Sequence, residues 1–124
     1  MNQANLLLRL LLEIVALVLL GMWGWETAGW LLGFGLPILA ATVWGIFNVP
    51  DDPSRSGKAP VAVPGWLRLL IEFAVFATAA LAAWSILGVP ATTIFVLVVV
   101  AHYLLSTGRI RWLLSGDSDK LAHD

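Results

Sequence analysis

Four apolar runs constrain this chain more than any other feature. They span roughly Asn5–Trp25, Gly29–Phe47, Trp66–Leu87 and Thr92–Ser106. Each approaches the ~20 residues an α-helix needs to cross ~30 Å of hydrocarbon. The fourth is shorter, and it reads as extending through Thr107 towards Leu114. Of the 124 residues, 60% are hydrophobic and 12% are charged. A soluble domain carries about 25% charged residues, and one core of this size cannot hide so much apolar surface. Barrel strands would appear as alternating segments of ~10 residues, which the sequence lacks. The expected fold is therefore all-α: a four-helix transmembrane bundle with every backbone group satisfied inside its own helix. The first run carries Arg9 and Glu13, exceeds the length of a signal-peptide core and precedes no clear small-x-small cleavage site. It reads as a retained helix.

The runs fall into two pairs. Tight turns near Glu26–Gly29 and Gly88–Pro90 join the members of each pair. Between the pairs lies NVPDDPSRSGKAPVAVP, whose prolines at 50, 53, 60 and 64 forbid a continuous helix. The organisation expected is one membrane domain: a hairpin over about 5–48, a polar linker over 49–64, a second hairpin over about 65–114 and a polar tail over 115–124. The seven cations are Arg9, Arg55, Lys58, Arg68, Arg109, Arg111 and Lys120, and neither short turn holds one. With four spans, the N-terminal side, linker and C-terminal side share one membrane face. The positive-inside rule makes that face cytoplasmic, with both termini inside. Trp23, Trp25, Trp30 and Trp84 then fall near the outer interface, and Trp66 and Trp112 near the inner one. Such a distribution is an aromatic belt.

The two halves match at an offset of 59: Arg9 with Arg68, Glu13 with Glu72, Trp25 with Trp84, Gly29 with Gly88, and Trp44 with Tyr103. This suggests an internal repeat of two tandem helical hairpins, related by a pseudo-twofold axis along the membrane normal. Both glutamates would sit roughly 10 Å below the cytoplasmic interface. Carboxylates there need partners, protons or water, because a charge at a helix centre costs about 3 kcal/mol on insertion scales. The i,i+4 spacing puts each Arg on the face of its own Glu, but Arg before Glu is the weaker order within a helix. Crossed pairing, Arg9 with Glu72 and Arg68 with Glu13, is the better arrangement and the one expected.

His102, Tyr103, Trp44 and Asn48 reach a similar level, so these groups could line a small pocket open to the cytoplasm. Two readings of the cluster stand side by side. It is a staple fixing helix register, or a site that binds an anion or passes a proton. No metal is expected, since no Glu-x-x-His or His-x-x-x-His spacing accompanies His102. No catalytic set, phosphate loop or nucleic-acid signature is visible, the chain has no cysteine, and no cofactor is implied. His123 lies in the polar tail. In the second run, Pro37 should kink the helix near Gly33, and Gly29 and Gly33 form a small-xxx-small face.

The Arg/Glu pairs, GLPILAATVWGIF (Gly35–Phe47), the proline-rich linker and PGWLRLLIEFAVFA (Pro64–Ala77) resemble the YrdB-like family of small bacterial membrane proteins. The likeness covers most of Asn5–Thr107. It implies helical architecture and a bacterial plasma membrane location, and carries no established activity. Function is expected to be non-enzymatic, with the lipid bilayer and other membrane subunits or further copies of the chain as partners. The alternative is a small transporter or channel whose cytoplasmic vestibule is lined by Glu13, Glu72 and His102.

Overall fold

A computed structural model describes residues 3–49 and 61–115. It is all-helical apart from one short strand pair. The order is α1 (Gln3–Ala28), α2 (Trp30–Ile46), β1 (Phe47–Asn48), β2 (Val61–Ala62), α3 (Gly65–Leu87), α4 (Val89–Leu104) and α5 (Thr107–Leu114). α1 and α3 are long and apolar enough to cross a membrane; α2, at 17 residues, is shorter. At 1.5 Å per residue α2 is about 26 Å long, a little less than a hydrocarbon core.

The fourth apolar run does not continue straight. α4 and α5 meet at an angle of 69°, so the pair counts as one broken span at most, and the total of long spans is two or three. The expected extension towards Leu114 is thus replaced by a bend at Leu105–Ser106. The physical reason is that α5 turns a charge inward: Arg109 is buried while Arg111 is exposed.

The turns are tighter than the sequence suggests. α1 runs through Glu26 to Ala28, and Gly29 alone reverses the chain at φ 69°. Gly88 does the same between α3 and α4 at φ 83°. Both conformations lie in the left-handed region that glycine enters without a Cβ penalty. Pro90 then sits in the first turn of α4, where its missing N–H leaves no bond unmade. Pro37 lies inside α2, which stays helical from Trp30 to Ile46. Its ring frees the Gly33 carbonyl. Gly21 of α1 packs there, so closely that a Cβ would sit 3.1 Å from that oxygen.

α1 packs against α2 and α3, and α3 against α4 and α5. Small residues mark the central faces: Ala16 of α1 and Ala79 of α3 have no exposed surface. Large apolar residues such as Leu31, Phe34, Leu81, Ile94 and Leu97 point outward and are more than 60% exposed or close to it. This inside-out distribution suits a hydrocarbon surround, where lipid tails are as apolar as Leu. β1 and β2 pair in parallel, and the Val63 amide donates to the Asn48 carbonyl at 2.9 Å. Linker residues 50–60 and tail residues 116–124, with Arg55, Lys58, Lys120 and His123, lie outside the described residues.

Candidate functional site

The polar side chains of four helices converge on one carboxylate. Glu72 lies in the second turn of α3 and has no exposed surface. Arg9 approaches from α1: its Nη1 donates to Oε1 at 3.2 Å, and its Nη2 lies 2.9 Å from Oε2. The second contact is an ion pair without hydrogen-bond alignment. Arg68, one turn earlier on α3, donates from Nε to Oε2 at 2.9 Å. Arg109 of α5 forms a fork, Nη1 to Oε1 at 2.9 Å and Nη2 to Oε2 at 2.6 Å. The Tyr103 hydroxyl of α4 donates to Oε1 at 2.7 Å. A planar guanidinium and a carboxylate match best in such a fork, which makes Arg109 the best-aligned of the three arginines.

Crossed pairing therefore occurs from Arg9 to Glu72. Arg68 instead serves the carboxylate of its own helix and donates from Nη1 to the carbonyls of Trp44 and Phe47, at 2.8 and 3.0 Å. These carbonyls belong to the C-terminal end of α2, where helix carbonyls lack intrahelical partners and carry partial negative charge. Arg9 also keeps its i,i+4 contact, with Nε 3.3 Å from Glu13 Oε1. So the weaker order within a helix is used in both hairpins, and in the second it adds to the donors that satisfy the buried Glu72.

Trp44 is held between two cations. The guanidinium carbons of Arg9 and Arg68 lie 5.4 and 5.0 Å from its ring centre. Its ring also meets Phe76 edge-on at 5.2 Å. Desolvated cation–π contacts contribute about 2 kcal/mol or more, so the Trp44 face adds to the stabilisation of both guanidiniums.

His102 belongs to a neighbouring network. Its Nδ1 is 2.8 Å from Asn5 Oδ1, Asn5 Nδ2 donates to Ser106 Oγ at 2.8 Å, and Ser106 Oγ donates to the His102 carbonyl at 2.8 Å. With the Asn5 amide donating to Ser106, its oxygen accepts from His102, which places the imidazole proton on Nδ1. Asn48 caps α2 by donating to the Gly45 carbonyl at 2.7 Å. Among the expected residues, Arg9, Glu13, Trp44, Arg68, Glu72 and Tyr103 come together. His102 lies beside Tyr103 and bonds away from the carboxylate, and Asn48 stays local. Of the three residues expected to line a vestibule, Glu72 and His102 have no exposed surface and Glu13 retains 18%.

Sequence reasoning did not find Arg109, Asn5 or Ser106. Arg109 reads as an interfacial cation, and its partner is 37 residues away. The one local hint is its i+2 neighbour Arg111: in a helix the two point to different faces, so they cannot both meet headgroups. Glycine explains how α5 gets close enough. A Cβ on Gly65, the first residue of α3, would overlap the Leu113 carbonyl. Among the described residues no group of three or more His, Cys, Asp or Glu side chains is arranged to hold a metal ion.

An apolar helical chain with one buried carboxylate ringed by arginines is the class these features define. The chain belongs to the family of proteins of unknown function described as DUF2568, whose model matches residues 7–100. It is 43% identical to the uncharacterized protein YrdB of Bacillus subtilis (strain 168) over 119 residues, covering 93% of this chain and 97% of that protein. No solved structure matches it. The matched span includes Arg9, Glu13, Trp44, Arg68 and Glu72 and stops before Tyr103 and Arg109.

Proposed function

We propose that this chain is a four-span protein of the bacterial plasma membrane, built of two tandem hairpins with both termini cytoplasmic. In this reading it catalyses nothing itself and works as a self-assembled oligomer or as an accessory subunit of a larger membrane assembly. One observation carries the proposal. The buried arginines turn inward onto Glu72, and the outer face keeps an apolar groove of about 730 Å³ between α3, α4 and α5. Ala77, Ala80, Leu81, Trp84, Val96 and Val100 are among the residues that line it. Small residues let a second helix approach closely, and lipid offers no hydrophobic drive, so shape of this kind decides association.

The test uses the native absence of cysteine. A single cysteine at Val96 or Leu81 is crosslinked in native membranes, and the detergent-extracted protein is weighed by native mass spectrometry. The proposal expects a discrete oligomer or a stoichiometric companion, lost in Ala77→Trp and Ala80→Trp. A clean monomer with unchanged crosslinking in those variants would overturn it.

A further inference from the structure

Positions 59 residues apart place a donor beside a carboxylate twice, Tyr103 with Glu72 and Trp44 with Glu13. In the second hairpin the donor closes on the acid directly, at 2.7 Å. In the first it does not. Trp44 is 6% exposed, yet its indole Nε1 has no hydrogen-bond partner among the described residues. Trp44 and Glu13 both open on one pocket of about 190 Å³ between α1, α2 and α3, whose other described walls are Leu17, Ala41, Gly45 and Val75. A buried donor left unpaired is disfavoured by about 1–3 kcal/mol, so the pocket has room for a molecule that the indole needs.

The two polar groups define that molecule. The indole only donates and an ionised carboxylate only accepts. Their common ligand must accept from one and donate to the other. An ammonium cannot accept; a phosphodiester or carboxylate cannot donate, and an inorganic phosphate, though it carries a proton, is repelled by Glu13. A hydroxyl does both. Size and walls disfavour water as the whole filling. The pocket would take about six waters at ~30 Å³ each, and each needs at least two polar partners. Leu17, Ala41 and Val75 offer none with their side chains. A molecule of about six heavy atoms, with carbon against those walls and hydroxyls at the two polar ends, meets every condition.

We propose that the pocket between α1, α2 and α3 binds a small polyol of glycerol type, one hydroxyl bridging Trp44 Nε1 and the Glu13 carboxylate. Free glycerol and the glycerol headgroup of an anionic phospholipid present the same vicinal hydroxyls. The first hairpin is then a ligand site, and the second, closed by Tyr103, is its sealed counterpart.

The test follows indole N–H resonances of the full chain, ¹⁵N-labelled at its seven tryptophans, in phosphatidylcholine nanodiscs. Trp44→Phe identifies the Trp44 signal by its disappearance. Glycerol is expected to shift that signal alone, with saturation. Phosphatidylglycerol in the disc, without free glycerol, gives the same shift if the lipid is the source. Ethylammonium is expected to leave it in place. Glu13→Gln should weaken the midpoint by about tenfold, the effect of one lost charge-assisted hydrogen bond. Ala41→Leu, which fills the pocket and leaves Glu13 intact, should abolish the response. The proposal is overturned by a signal unmoved in both the glycerol and the lipid arm, which means water only. It is equally overturned by an unsaturable drift shared by all indoles, by an equal response to ethylammonium, or by full binding in Ala41→Leu.

Discussion

Replacing Glu72 with Gln is the sharpest probe of the buried cluster. The change keeps shape and removes one negative charge. It leaves Arg9, Arg68 and Arg109 facing a neutral amide whose nitrogen can only donate. Four nitrogen–oxygen contacts at 2.9 Å or less come from these arginines, and Tyr103 adds a hydroxyl at 2.7 Å. Summing them at ~1.5–3 kcal/mol each would overcount, because they share two oxygens and one charge. The better guide is the loss of one partner from a buried ion pair, about 3–5 kcal/mol. Three guanidiniums depend on this carboxylate, so the upper end applies, roughly 5 kcal/mol. That is comparable to the whole stability of many small domains, about 5–15 kcal/mol. Equilibrium unfolding by dodecyl sulfate in mixed micelles, followed by far-ultraviolet circular dichroism, measures it. The matched control is Glu13→Gln. Glu13 is 18% exposed and meets Arg9 at 3.3 Å, outside hydrogen-bond alignment. It pairs with Arg9 at an edge of the cluster, so its loss should cost less than that of Glu72. If Glu72→Gln falls within about 1 kcal/mol of the parent, or no lower than Glu13→Gln, the carboxylate does not hold the helices together.

Other perturbations test the same architecture. Arg9, Arg68, Arg109 and Glu72 replaced together by Leu should unfold more like the parent than Glu72→Gln does, because no buried charge is left unpaired; the unfolding midpoints of the two variants decide it. Gly65→Ala should push α5 off α3, lower stability by about 1–3 kcal/mol and raise protease cleavage at Leu105–Ser106. Trp44→Phe should keep most of the stability and Trp44→Leu should lose about 1–3 kcal/mol, since only the phenyl face still meets Arg9 and Arg68. Asn5→Ala should strand His102 Nδ1 and leave Ser106 with its bond to the His102 carbonyl, costing about 1–3 kcal/mol in the same unfolding assay.

Hydropathy made α1 and α3 legible, because an apolar run of that length has few other uses. The places of the two tight turns were legible as well, though not that Gly29 and Gly88 would each reverse the chain at a positive φ. The bend at Leu105–Ser106 was not. No proline interrupts the run, and the deflection comes from Arg109 finding a carboxylate on another helix. The i,i+4 doublets identified Glu72 as a residue in need of partners, and Arg9 as one of them. They could not reveal that one acid would gather three arginines while Glu13 stayed at the edge, since burial is a property of the assembled helices. The Asn5–His102–Ser106 network joins residues up to 101 positions apart and leaves no local trace.

The position of Arg109 late in the chain has a consequence for biogenesis. As the ribosome extends the polypeptide, α3 is complete long before the fork that best neutralises its acid has been synthesised. Until then Glu72 has Arg9 and Arg68 but neither the Tyr103 hydroxyl nor the Arg109 fork, and its two oxygens keep fewer hydrogen bonds. A nascent chain stalled ahead of that arginine would thus differ chemically from a finished one, and a membrane protease that samples polar faults would have a means of telling them apart.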